Sequence, residues 1–182
     1  MQLTLTISDP ESIIPDAHVA AEAAVRGMEV LVIDHLRDKN NRSAHKSGFP
    51  KSDYYAKAAN NVAASVAGNV ARIEIDHPGL ALHYEGGTVW PKKKALAIPI
   101  DPSVAAIWPS EAGGIATGGA DDDLYALIWP KGSNHGFIKD TETNDLLWLL
   151  VPKATIPADK DVLPTDGEIL GAAEEAIREM MS

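Results

Sequence analysis

A chain of 182 residues with 45% hydrophobic and 23% charged side chains has room for one domain with a substantial core, with or without an extension. No run approaches the roughly 18 apolar residues of a membrane span, and the opening Met-Gln-Leu-Thr-Leu-Thr-Ile alternates like a strand rather than a secretory leader, so a cytoplasmic protein is expected. A formal net charge of -10 disfavours general nucleic-acid binding, and zero cysteines remove disulfides, thiolate nucleophiles and cysteine-ligated metals.

Residues 2–7 place Leu3, Leu5 and Ile7 on one face of an opening strand, which Asp9-Pro10 ends. The spacing of Ala21, Val25, Met28, Val32 and Leu36 then predicts a helix over about 15–38 with a single buried stripe and Pro15 in its first turn. Gly27 inside that helix costs about 1 kcal/mol relative to alanine, which points to a neighbour approaching closely. Residues 39–51 are polar and read as a loop. A second helix is predicted from a Ser52 cap to about Ala67, with Tyr55, Ala59, Val62 and Val66 on one side and Gly68 as its stop. Val70–Ile75 alternates as a strand, Asp76-His77-Pro78-Gly79 is a turn, and Leu80–Tyr84 is taken as the next strand. Gly86-Gly87 supplies a sharp reversal before strands at Thr88-Val89-Trp90 and Ala95-Leu96-Ala97-Ile98, which together predict an antiparallel meander.

Residues 101–136, rich in Asp-Pro, Trp-Pro and Gly-Gly pairs, read as a projecting hairpin or arm with one short strand at Leu124–Trp129. Its ends, Ala106–Pro109 and Leu127–Pro130, are candidates to face each other as strands across a glycine-rich tip. Phe137–Lys139 and Leu146–Val151 are the closing strands, joined by a turn at Asp140–Asn144. Thr165 and Glu168 stand in capping-box spacing ahead of Ile169, Ala173, Ile177 and Met180, predicting the last helix. The fold class is therefore α+β: a single domain over residues 1–182, with a twisted antiparallel sheet packed against a long N-terminal helix and shorter helices, and residues 101–136 extending from it.

Little in the chain reads as catalytic. None of the six histidines lies in an HExxH array, and a metal site at His77, His83 and Glu85 competes with a simpler reading as hydrogen-bonding groups in a sheet corner. No Gly-x-Ser-x-Gly elbow is present, Asp121–Asp123 lack the spacing of a calcium loop, and Gly113-Gly114 and Gly118-Gly119 are not followed by the Lys-Ser or Lys-Thr of a phosphate loop. No enzyme activity, metal or cofactor is expected. Trp90, Trp108 and Trp129, each beside a rigid turn or in a strand, are candidate interface anchors, with core filling open for Trp108 and Trp129 and preferred for Trp148. Lys92, Lys93 and Lys94 read as a solvated basic turn or a local contact patch.

The order His83-Tyr84, Gly86-Gly87, Thr88-Val89-Trp90, Pro91-Lys92 and Ala95-Leu96-Ala97-Ile98-Pro99 resembles the virion-morphogenesis, or tail-completion, proteins of tailed bacteriophages. Lys153-Ala154-Thr155-Ile156-Pro157-Ala158 ahead of a final helix adds to the likeness, which is firmest over 80–100 and 145–180 and looser over 15–100. Where the family continues Ile-Pro-Ala with Arg-Pro and an aromatic, this chain has Asp159-Lys160-Asp161. The resemblance implies a structural virion protein of a phage or prophage that acts in tail completion or head-to-tail joining as a subunit of a ring. It further implies partners such as a connector, tail terminator or tail tube, passage of DNA through the ring, and a place in the neck or tail after assembly in the host cytoplasm. On this view Tyr84, Gly86, Gly87, Trp90, Lys92, Lys93, Lys94, Trp108 and Trp129 make contacts. Two alternatives stay open: a metal-dependent hydrolase centred on His77, His83 and Glu85, and a small monomeric binding module.

Overall fold

The computed structural model describes residues 2–6, 17–43, 48–92, 94–107, 109 and 124–182. In chain order the elements are β1 (Gln2–Thr6), α1 (Ala17–Arg42), α2 (Tyr54–Ala59), β2 (Val62–Ala67), β3 (Val70–Ile75), α3 (Leu80–Glu85), β4 (Gly87–Val89), β5 (Leu96–Pro99), β6 (Tyr125–Ile128), β7 (Gly136–Asp140), β8 (Leu146–Val151), β9 (Ala154–Ile156) and α4 (Asp166–Met180). Short 3-10 turns lie at Pro102–Val104 and Lys160–Val162. The class is α+β, and the strands pair antiparallel in sheets ordered β1-β3-β2, β4-β9 and β5-β8-β7-β6. The chain forms two compact units, one from 1–44, 52–86 and 157–182 and the other from 45–51 and 87–156, so the described part of 101–136 belongs with the second unit.

The first unit is organised by α1, whose predicted stripe of Ala21, Val25, Met28, Val32 and Leu36 is buried along its length. Four of these side chains, Ala21 apart, pack with Ala71, Ile73 and Ile75, the inward face of β3, in one core. The helix runs to Arg42 rather than ending near residue 38, because its last turns have partners. Asn40, only 6% exposed, accepts a hydrogen bond from the Ala56 amide at 3.3 Å, so α2 secures the end of α1. At Gly27 the approach of α4 is so close that a β-carbon would sit 2.5 Å from the Ala172 carbonyl oxygen and 2.9 Å from Ala176 Cβ. The glycine is thus the contact point of two helices. Thr165 and Glu168 start α4 with a reciprocal capping box, the Thr165 amide donating to Glu168 Oε2 at 2.8 Å and the Glu168 amide to Thr165 Oγ1 at 3.3 Å.

Two expectations for this unit are corrected. The predicted helix from Ser52 to Ala67 is a short α2 followed by strand β2: Val62, Ala64 and Val66 alternate inward, and β2 pairs with all of β3 across a Gly68-Asn69 turn in which Gly68 has φ +62°. The predicted strand Leu80–Tyr84 is helix α3. Gly79 at φ +79° turns the chain into it, Leu80 anchors it at 1% exposure, and Gly86 at φ +74° ends it while its amide donates to the Leu82 carbonyl at 2.9 Å.

In the second unit β8 occupies the middle of the four-stranded sheet, and Trp148, 1% exposed, is its largest buried side chain. The unbroken Leu-Leu-Trp-Leu-Leu run cannot alternate, and a bulge reconciles it with the sheet: β7 pairs Ile138 with Trp148 and Lys139 with Leu146, leaving Leu147 unopposed. Leu147 and Trp148 are thereby both buried, with Val104, Ile138 and Leu150, and Tyr125 meets the indole edge to face at 5.7 Å. The Asp140–Asn144 turn forms as expected, with Asp140 Oδ1 accepting from the amides of Glu142 and Thr143 and Asn144 at φ +64°. The expected pairing of Ala106–Pro109 with Leu127–Pro130 is not seen: β6 pairs with β7, and Ala105 to Ile107 follow the 3-10 turn without forming a strand. Trp108, Lys93, the glycine-rich tip and Asp121–Asp123 lie outside the described residues.

Candidate functional site

The residues singled out from sequence fall into separate places. Tyr84 sits in α3, where the Lys160 ammonium lies 3.9 Å above its ring, and Gly86 closes that helix. Gly87 opens β4, so the glycine corner is a helix-to-strand junction and not a reversal between two strands. Trp90 follows β4 directly and Lys153 precedes β9; since Val89 pairs with Ala154, the next step of the register sets Lys153 over the Trp90 ring at 5.5 Å. Trp90 is 65% exposed, and Lys92 and Lys94 beside it are exposed too. A cationic, aromatic knob results.

Trp129 behaves differently. Its indole N–H donates to the Ser133 carbonyl at 3.0 Å, and its ring lies so close over Gly136 that a β-carbon there would come within 2.3 Å of it. One face of the ring is therefore spent on holding the 129–136 turn, while 47% of the residue stays exposed. Trp148 is core.

His77 and His83 do converge, but on an aromatic ring. Tyr54 meets His77 edge to face at 4.5 Å and stacks on His83 at 4.7 Å, and its hydroxyl donates to the Pro78 carbonyl at 2.9 Å. Tyr55 Oη is 3.3 Å from His83 Nδ1, and Glu85 is exposed. His77 Nδ1 is buried with no hydrogen-bond partner. Among the described residues no group of three or more His, Asp or Glu could hold a metal ion, and no helix is long and apolar enough to cross a membrane.

Next to His83 lies a charged clamp that the sequence reading missed. The Asp159 amide donates to the His83 carbonyl at 2.9 Å, and Lys39 Nζ is 2.8 Å from Asp159 Oδ2 and 2.9 Å from Asp161 Oδ2. Arg42 stands 3.5 Å from Asp161, and the His35 ring nitrogen is 3.0 Å from the Asp161 carbonyl. Lys39, Arg42, Ser43, Tyr55, Asp159 and Asp161 line an opening of about 380 Å³. The signal was the Asp-Lys-Asp triplet at 159–161, legible as charge but not as a partner for a lysine 122 residues away.

Burial pulls the Lys39 ammonium down, but hydrogen bonds and charge from Asp159 and Asp161 outweigh it and leave its pKa raised. The hydrogen bond from Lys39 holds the Asp161 carboxyl below its ordinary value, and burial pushes the Tyr54 and Tyr55 phenols up. At neutral pH these groups form a fixed ion cluster with protonated phenols. Asp161 lends stability above the ordinary carboxylate range and loses it as pH falls through its lowered value; Lys39 lends stability below the ordinary lysine range and loses it as pH rises through its raised value. The Asp161 side chain is 55% exposed, so solvent screening keeps its share below about 1 kcal/mol. Asp161→Asn is expected to reduce thermal stability at pH 7 and to flatten the loss below about pH 4, which melting curves over that range would register.

No protein-family model, curated protein or solved structure matches this chain.

Proposed function

We propose that this protein is a structural subunit of a phage or prophage particle, acting in tail completion or head-to-tail joining as one member of a ring at the neck or tail end. The reading rests on the resemblance over residues 80–100 and 145–180, and its main structural support is the large apolar side chains left uncovered on or beside regular elements. Trp90 is 65% exposed, Val30 59%, Leu127 57%, Leu124 55% and Trp129 47%. Leu124, Leu127 and Trp129 cluster on or beside β6, which among the described strands is at the edge of its sheet. An open sheet edge carrying large apolar side chains invites another chain, and neighbours in a closed ring cover such surfaces. The partners of such a ring are a connector, tail terminator or tail tube, and the net charge of -10 would let DNA slide through without sticking. A hydrolase centred on His77, His83 and Glu85 draws less support, because both imidazoles pack on Tyr54.

The test is binding to particles. Labelled full-length protein, mixed with heads and tails of the phage or prophage that encodes it, is expected to co-sediment and to mark the neck or one tail end in electron micrographs. Label left at the top of the gradient would overturn the reading.

A further inference from the structure

Between α1 and α4 runs an open groove of about 690 Å³. The close approach at Gly27 sets its depth, and Val19, Ala23, Val30 and Met180 give it an apolar lining; of these, Val19, Val30 and Met180 are 41%, 59% and 40% exposed. Glu22, Asp34, Glu175 and Glu179 also line it, against a single cation, Arg26. Glu22 stands 3.6 Å from His18 and Asp34 4.0 Å from Arg37, whereas Glu175 and Glu179 have no ion-pair partner among the described residues. An apolar floor under an acidic rim calls for an apolar anchor flanked by cations.

The chain carries that complement itself. Trp90 is the most exposed tryptophan described, Lys153 lies over its ring, and Lys92 and Lys94 project from the same corner. Lys92 to Lys94 is the longest run of adjacent cations in a chain of net charge -10. We infer that the corner carrying Trp90, Lys92 and Lys94 in one copy docks in the α1–α4 groove of the next, the indole against Val19, Ala23 and Met180 and the lysines against Glu175 and Glu179. The two surfaces differ, so the contact is heterologous and propagates from copy to copy, as the contacts of a ring do. This rests on the ring reading and names the surfaces that would build it.

The experiment is sedimentation equilibrium of the full chain at low and high salt, on the wild type and three charge variants. Lys92→Glu with Lys94→Glu, and separately Glu175→Lys with Glu179→Lys, are each expected to weaken self-association about tenfold or more, and combining all four to restore most of it. The wild-type contact should weaken as salt rises. All four residues are exposed, and circular dichroism checks that each variant is folded. If the wild type assembles and the charge variants assemble equally well, the groove assignment is overturned while the ring reading stands. If the wild type stays at 19.4 kDa throughout, the groove assignment is overturned, whereas the ring reading falls only if the protein also fails to bind phage heads and tails.

Discussion

Replacing Trp148 with alanine is expected to destabilise the unit built from residues 87–156 by about 3–5 kcal/mol. The indole is 1% exposed on the central strand of the four-stranded sheet, and it touches a small core of Val104, Ile138, Leu147 and Leu150 with Tyr125 against its edge. So few neighbours cannot close over the space it leaves, and the bulge opposite holds the strand in place, so the cavity persists. The melting midpoint should fall by about 10 °C, with loss of near-ultraviolet circular dichroism. Trp148→Phe should recover part of the loss. A change below about 1 kcal/mol for the alanine variant would mean that this core is not organised around the indole.

Gly27→Val is the second large effect, at about 3 kcal/mol. In an ordinary helix, replacing a mid-helix glycine saves backbone entropy, and alanine there would stabilise by about 1 kcal/mol. Here the new β-carbon would meet the Ala172 carbonyl oxygen at 2.5 Å, and a backbone atom cannot turn aside as a side chain can. α4 must shift, and Ile169 and Ala173 shift with it out of the core they share with α1. Gly27→Ala should show the same sign at smaller size, a reversal of the helix-propensity order that denaturant titration would reveal. Because Gly27 also lines the α1–α4 groove, the valine variant should lose self-association in step with stability.

What was legible in the sequence depended on how local its cause is. The stripe on α1, the Thr165–Glu168 box and the Asp140–Asn144 turn are each set within a few residues, and each forms as read. Residues 62–67 satisfied two periods at once: Val62 and Val66 continue a helical face from Tyr55 and Ala59, yet Val62, Ala64 and Val66 also alternate. Pairing with β3 decides for the strand, and Gly68, read as a helix stop, begins its hairpin turn with Asn69. Leu80–Tyr84 was too short for its period to discriminate, and the positive φ of Gly79 and Gly86 decides for a helix. The last turn of α1 depends on Asp159, Asp161 and the Ala56 amide, all distant along the chain.

The interaction surfaces divide in the same way. Trp90 and the lysines beside it could be picked out because an aromatic and a basic run after a strand is a pattern in sequence. The acid-rimmed groove could not, since it exists only where α1 crosses a helix that begins at Asp166, and its floor looks in sequence like the edge of an ordinary amphipathic stripe. Trp129 was even between core and interface, and its geometry has both characters, one face over Gly136 and the rest open.

The most direct measurement is the mass of the purified full chain by light scattering across a concentration series, with negative-stain images of whatever forms. The account predicts a closed, ring-shaped species of fixed stoichiometry, a whole multiple of 19.4 kDa, formed alone or on adding neck or tail proteins. A species of 19.4 kDa at every concentration, indifferent to those proteins, would contradict it.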